Sequence, residues 1–169
     1  PLRLVGSEMC IRDRYKSILG CDPGLSGAIA VYFPDHPNVI AIHDMPVDGK
    51  SVDGYELAKI IRQYNPEVAF VEKVHSMPKQ GVASTFTFGE SYGAAKGVLS
   101  ALNIPIELVT PRQWKKEFEL TSDKNESLEL ARMFWPDSDK FKRKKDNGRA
   151  EAALIAMYGY KLQFNVRIE

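Results

Sequence analysis

The sequence predicts an α/β fold in which helices flank a five-stranded mixed sheet, three strands antiparallel and two parallel. Three observations predict it. Short β-rich runs recur at 17–22, 28–33, 39–44, 68–71 and 104–109. The first three are joined by short turn-rich links, Pro23-Gly24-Leu25-Ser26-Gly27, whose two glycines permit a tight turn with φ > 0, and Pro34-Asp35-His36-Pro37-Asn38; such links suit an antiparallel meander. The fourth follows an amphipathic stretch, so it returns parallel to the first through a helical crossover. The element order is βββαβαβααα.

Taken in order, Leu57, Ile60, Ile61 and Tyr64 fall at helical spacing within 52–64, and Asn65-Pro66 stops that helix. Residues 77–82 read as a loop. A helix over about 83–102 carries Gly89, Gly93 and Gly97 at four-residue spacing. Each glycine costs a helix about 1 kcal/mol, so three on one face point to close approach of a neighbour, either the sheet or a second copy of the chain. Pro111 opens a short helix behind Thr110, and Ser122 or Asp123 caps another that runs to about Phe134 before Pro136. The final helix spans about 148–162, with Ala150, Ala153, Leu154, Met157 and Tyr158 on one face.

With 169 residues, 44% hydrophobic and 27% charged, the chain can bury one sizeable core, so a single domain over 15–169 is expected. No apolar run approaches the roughly 18 residues of a membrane span, and no secretory segment is evident. A soluble cytoplasmic protein without a membrane partner is the expectation. Cys10 and Cys21 form neither a disulfide framework nor a metal pattern, and Cys21, inside an apolar strand, reads as a buried structural thiol. Residues 1–14 lack any period, and Met9-Cys10-Ile11-Arg12-Asp13-Arg14 resembles a translated transposase adapter used in sequencing libraries. They are set aside as a non-native adapter-derived segment or a disordered arm.

The formal net charge is +1, and without Arg3, Glu8, Arg12, Asp13 and Arg14 it is zero, so total charge gives no argument for nucleic-acid binding. Local charge does. Lys140, Lys142, Arg143, Lys144, Lys145 and Arg149 surround Asp146, and Lys115, Lys116 and Lys124 lie upstream. Such runs are most often solvated faces, but beside acids they also suit a clamp on a phosphate backbone.

The acids themselves carry the chemistry. The runs 17–22 and 68–72 end on Asp22 and Glu72, and the last helix opens around Asp146 and Glu151. Each has a bland alternative: Asp22 as a hairpin-turn cap, Asp146 as an N-cap, Glu151 as a first-turn acid favoured by the helix dipole. If the fourth strand pairs with the first, however, Asp22 and Glu72 become neighbours. Glu151, set between Ala150 and Ala152-Ala153 on a closely packing helix, is costly without a partner. Crowded carboxylates call for a cation, and an all-oxygen set suits Mg²⁺ or Mn²⁺. His75 has no second His or Cys at ligand spacing, which argues against zinc. Phe86, Phe88, Trp114 and Trp135 are assigned to core or dimer packing, and no Ser/His/Asp or Cys/His set suggests a covalent nucleophile.

Asp22-Pro23-Gly24-Leu25-Ser26-Gly27, Phe70-Val71-Glu72-Lys73-Val74, the Gly89 to Gly97 helix, Thr110-Pro111-Arg112-Gln113-Trp114-Lys115, Ser122-Asp123-Lys124 and Arg149-Ala150-Glu151-Ala152-Ala153-Leu154 occur in the same order as in RuvC-type Holliday junction resolvases. Over nearly everything after residue 16 the chain resembles that family, in particular its phage and metagenomic branch. The resemblance implies an RNase H-like fold and a homodimeric crossover junction endonuclease that cuts four-way DNA junctions with two divalent metals per site. Asp22 and Glu72 match the family's first-strand aspartate and fourth-strand glutamate. The family's helix carries two acids about three residues apart; here Glu151 stands for the last, Gly148 occupies the position three before it, and Asp146 lies five before it. Asp146 and Glu151 therefore both remain candidates to complete the metal site. Lys115 and Lys124 match basic residues near the scissile phosphate, His75 falls in the loop that meets the junction centre, and Lys144, Lys145 and Arg149 are expected to contact DNA.

Other readings stay in view: an RNase H-like nuclease acting on structured RNA, a junction-binding protein without catalysis, or an actin-like or sugar-kinase-like nucleotide module. The last is disfavoured because such two-lobed folds need about twice the length.

Overall fold

Side-chain alternation along the first strand decides how the molecule is layered. In the computed structural model, which describes residues 17–73 and 81–164, β1 spans Ile18–Asp22, β2 Ala28–Tyr32 and β3 Ile40–Asp44. A small hairpin follows, β4 at Val47–Asp48 and β5 at Ser51–Val52, then helix α1 over Gly54–Tyr64 and β6 over Val68–Glu72. Helix α2 covers Val82–Ala101, β7 Ile106–Val109, α3 Pro111–Glu117, α4 Lys124–Phe134 and α5 Asn147–Phe164. The main sheet has the order β3-β2-β1-β6-β7. Strands β1, β2 and β3 are antiparallel neighbours, whereas β6 runs parallel to β1 and β7 parallel to β6. This is the expected mixed sheet.

Leu19 and Cys21 face one side of the sheet, where they pack with Leu57 and Ile61 of α1 and Ala95 and Leu99 of α2. Ile18 and Gly20 face the other, where α5 lies. Strand β6 repeats the pattern, with Ala69 and Val71 toward α1 and α2 and with Val68 and Phe70 toward α5. Strands covered on both faces need apolar residues at every position, which is why the runs read as nearly continuous.

Helix α5 is buried at every residue from 150 to 159, a stretch that includes four alanines, Ala150, Ala152, Ala153 and Ala156. It lies so close to the sheet that a Cβ at Gly20 would overlap the Ala152 carbonyl oxygen and stand 2.9 Å from the Ala156 Cβ. On its outer side α4 buries Leu128 and Ala131 in the same core. The indole N–H of fully buried Trp135 donates to the Pro37 carbonyl at 3.0 Å, fastening the end of α4 to the β2–β3 link.

Local chemistry explains the helix starts. Asp53 accepts from the Glu56 amide at 3.0 Å, Thr110 and Gln113 form a capping box, and Asp123 accepts from the Asn125 amide at 2.9 Å. Three details differ from expectation. Residues 51 and 52 belong to the small hairpin, turned by Gly49 at φ 60°, so α1 starts two residues later than its apolar spacing suggested. Gly24 and Gly27 do not use positive φ; Gly27 is needed because a Cβ there would stand 2.9 Å from the Asp22 Cγ. Gly89, Gly93 and Gly97 do not pack on the sheet, since a Cβ at any of them would meet nothing within 4 Å. Residues 1–14, His75 and most of the expected 77–82 loop lie outside the described residues. Among the described residues no helix is long and apolar enough to cross a membrane.

The contact between α5 and β1 makes a direct prediction. Gly20→Ala is expected to destabilise the protein by roughly 3 kcal/mol, because the obstructing atoms are backbone and cannot rotate away. Urea unfolding of the purified variant checks it; stability within 1 kcal/mol of the parent would refute the packing described.

Candidate active site

Parity along two strands gathers the first two acids. Asp22 follows Gly20 and Glu72 follows Phe70 at two-residue spacing, so both project on the α5 side. The parallel register runs from Ile18↔Val68 to Cys21↔Val71, which leaves Asp22 and Glu72 side by side one position further on. Helix α5 adds Glu151, which is 8% exposed. These three carboxylates sense one another: both Glu72 and Glu151 act on Asp22, and Glu151 acts on Glu72.

Burial, then the neighbouring Glu72 and Glu151, pushes the Asp22 carboxyl up to about 7, against weaker opposition from the Gly24 amide and Lys124. Burial likewise raises Glu72, offset in part by a hydrogen bond from the Trp114 indole N–H to Glu72 Oε1 at 2.9 Å. Trp114 is fully buried, so this donor holds the glutamate in one orientation. Glu151 has the partner its burial demands: Lys115 Nζ stands 3.3 Å from its Oε1, and the same ammonium lies over the Trp114 ring. Lys124, the first residue of α4, acts on both Asp22 and Glu72. The Cys21 thiol is raised by burial and then by Asp22 and Glu72, which leaves it inert, as its sequence context suggested.

Asp146 has a different fate. Its Oδ1 accepts from Arg143 Nε at 2.9 Å and Nη2 at 2.7 Å, its Oδ2 accepts from the Arg143 amide at 2.8 Å, and Arg149 Nη1 stands 3.5 Å away. Burial pushes this carboxyl up, but the Arg143 bonds and the charge of Arg149 outweigh it and hold it below the usual range. Arg149, expected at the DNA surface, instead grips Asp44 at the end of β3 through Nε and Nη2 at 2.5 and 2.6 Å. Lys144 and Lys145 are exposed on the turn before α5. The fourth-acid position of the resembled family is closed by contact. A Cβ at Gly148 would lie 2.7 Å from the Ser26 carbonyl oxygen and 3.4 Å from Asp22 Oδ2.

Trp114 and Trp135 are core residues as expected, but Phe86 is 73% exposed on α2 and Phe88 is only half buried. Sequence reasoning missed the role of Trp114 as a donor to Glu72, because that bond joins residues 42 apart in the chain.

Neither protein-family models nor curated protein sequences give a match to the chain. Solved structures do. "T. thermophilus RuvC in complex with Holliday junction substrate" superposes with a TM-score of 0.60 at 13% identity, covering 88% of this chain and 97% of that one. The structure of Thermus thermophilus RuvC alone gives 0.60 at 12% identity over 87% and 96%. The chain has the RuvC fold. Its mixed sheet and flanking helices are those of the RNase H-like class, as the resemblance of its motifs implied.

The opposed shifts of two buried aspartates yield a stability test. Asp22 binds its proton more tightly folded than unfolded, so its contribution is fully favourable below about pH 4 and is lost as pH rises toward 7. Asp146, held low, contributes above the unfolded value and loses that contribution as pH falls. In metal-free buffer at pH 7.5, Asp22→Asn is expected to raise Tm by about 2–4 °C or more, the equivalent of about 1 kcal/mol, while Asp146→Asn lowers it. Thermal scans from pH 4 to 8 read both slopes; a lowered Tm for Asp22→Asn at pH 7.5 would contradict the account of the cluster.

Proposed function

We propose that the protein is a divalent-metal-dependent endonuclease that resolves four-way DNA junctions by hydrolysing phosphodiesters. The observation that carries the reading is the convergence of Asp22, Glu72 and Glu151 from β1, β6 and α5 on one face of the sheet. The RuvC fold and the order of motifs around it support the same reading. The substrate is drawn from the resolvases of that fold rather than from the site itself.

The donor set fits a hard divalent cation. Among the described residues no three His, Cys, Asp or Glu side chains are gathered tightly enough to hold an ion as they stand. Mutually repelling acids draw together only around positive charge; the Asp22 and Glu72 carboxyls are raised first by burial and further by the neighbouring acids. The buried Asn147 Oδ1, at the start of α5 beside Gly148, also lacks a hydrogen-bond partner among the described residues, an additional neutral oxygen at this end of the helix. Asp22, Glu72 and Glu151 would hold Mg²⁺ or Mn²⁺, two ions per site in the resembled family, which supply Lewis acidity for the attacking water and the departing 3′ oxygen.

The chain's own residues do the rest. Trp114 fixes Glu72, and the ion pair with Lys115 holds the Glu151 carboxylate in place. Lys115 and Lys124 bring positive charge to the rim, which lessens the repulsion a phosphodiester meets on approaching three carboxylates. A groove along α3, lined by Arg112, Lys115 and Lys116 together with Glu119, carries a net positive lining that suits the backbone of one junction arm. Lys144 and Lys145 are exposed where they can add to it, whereas Arg149 serves to anchor α5.

Cutting two symmetric strands calls for two sites, and the reading includes a homodimer through α2. Ser91, Ala95 and Leu99 of α2 are buried, while Val82, Phe86, Gly89, Gly93 and Gly97 fall on the opposite face and are exposed. Exposed phenylalanine and valine above a groove of glycines form a surface on which a second helix can lie closely.

Asp22→Asn, Glu72→Gln and Glu151→Gln are each expected to reduce cleavage of a labelled four-way junction by about 10³-fold or more while junction binding persists. Asp146→Asn is expected to cost stability with much less effect on cleavage. Parallel reactions on duplex DNA and structured RNA discriminate the substrate, and preference for RNA would displace the junction reading. Binding without cleavage by the parent protein in Mg²⁺ or Mn²⁺ would favour a non-catalytic junction binder.

Gly93→Glu tests the dimer separately. The position has open space around it, so the monomer fold is expected to survive while sedimentation velocity shows conversion to monomer. An unchanged dimer would place the interface elsewhere.

A further inference from the structure

Beside Asp22, a cleft of about 520 Å³ opens between the β1–β2 turn and the first half of α2. It is lined by Gly24, Leu25, Ser26, Ser84, Thr87, Phe88 and Ser91, and so by no charged side chain. Gly24 joins it to the acids: a Cβ there would stand 3.6 Å from Phe88 Cε2 and 3.9 Å from Asp22 Oδ1. The edge of one aromatic ring and the carboxylate thus flank a single Cα.

The lining selects its occupant by chemistry. A phosphate would find no countercharge, and an aliphatic group would waste the hydroxyls. A nucleobase is neutral, planar and rimmed with donors and acceptors, and a base is small against the several hundred Å³ that ligand clefts provide. Phe88 offers a ring to stack on, and Thr87 and Ser26 offer hydroxyls that can donate or accept. Ser91 is buried and donates to the Thr87 carbonyl at 2.9 Å, which secures the helix turn that presents Thr87.

We infer that this cleft takes an unpaired nucleobase next to the scissile phosphate and sets the sequence preference of cutting. The inference rests on the junction-nuclease reading and deepens it. At a four-way junction, bases at the crossover can leave their stack at a cost of a few kcal/mol, which stacking on an aromatic ring partly restores. Phosphate contacts along α3 place the strand, and the cleft reads it.

The experiment uses the whole protein and a set of junctions with each nucleotide varied, or replaced by an abasic site, at the positions flanking the cut. With the parent enzyme, one position is expected to show at least a ten-fold spread of rates among the four bases, and its abasic form a comparable loss. Thr87→Val keeps shape and removes the hydroxyl; it is expected to shrink the spread at that position at least three-fold, as is Phe88→Leu. Cleavage without preference at every position, or an unaltered spread in both folded variants, overturns the nucleobase cleft while leaving the nuclease reading intact. Failure of the parent to cut any junction overturns that reading and the inference with it.

Discussion

The close approach of α5 to β1 is the constraint on which the rest depends. Two contacts define it: Gly20 against Ala152 and Asp22 against Gly148. The strand positions are two residues apart, about 6.6 Å, and the helix positions four apart, about 6 Å. The two spacings match, so the helix runs back along the strand without losing contact. Glu151 lies between those two helix positions and is thereby carried to the Asp22 end of the strand. A side chain at either glycine would lift the helix and withdraw the third carboxylate from the other two.

Charge then fixes the start of that helix. Arg149 holds Asp44 of β3, and with Arg143 it surrounds Asp146, so the turn before α5 is tied both to itself and to the sheet edge. The Arg149–Asp44 pair is largely exposed on the aspartate side, and such pairs contribute little stability in water. Its consequence is geometric: a bidentate guanidinium permits one orientation, and two residues later the helix presents Glu151. The basic run that reads as one DNA clamp in the sequence is therefore divided in space, its arginines turned to carboxylates and its lysines 144 and 145 left to solvent.

What the sequence made legible was whatever depends on neighbours in the chain. The sheet order followed from link lengths, the caps at Thr110 and Asp123 from local hydrogen bonding, and the pairing of Asp22 with Glu72 from parity once β1 and β6 were taken as adjacent. The β4–β5 hairpin was invisible because two residues per strand carry no period. Asp146 could not be separated from Glu151 because the difference lies in their partners: Asp146 is taken up by Arg143, three residues back, whereas Glu151 meets Lys115 of α3. The glycines of α2 left the sheet and a second copy as alternatives, and the open space around them removes the sheet. Phe88 read as packing because a ring that borders a cleft and a ring inside a core have the same helical spacing.

Asp22 and Asp146 show how differently the fold treats two carboxylates. Both are withdrawn from water, and desolvation pushes both carboxyls upward. Around Asp146 the protein supplies two guanidinium groups and a backbone amide, which more than compensate. Around Asp22 it supplies two more carboxylates, one weak amide contact at 3.5 Å and the distant influence of Lys124. Lys115 could have relieved Asp22 but is committed to Glu151, and Glu72 is oriented by a neutral indole rather than by a cation. Evolution keeps such an imbalance where the missing charge arrives with function, and removes it elsewhere because it lowers stability. The deficit of positive charge at Asp22 thus sets this carboxylate apart from Asp146 more sharply than burial does.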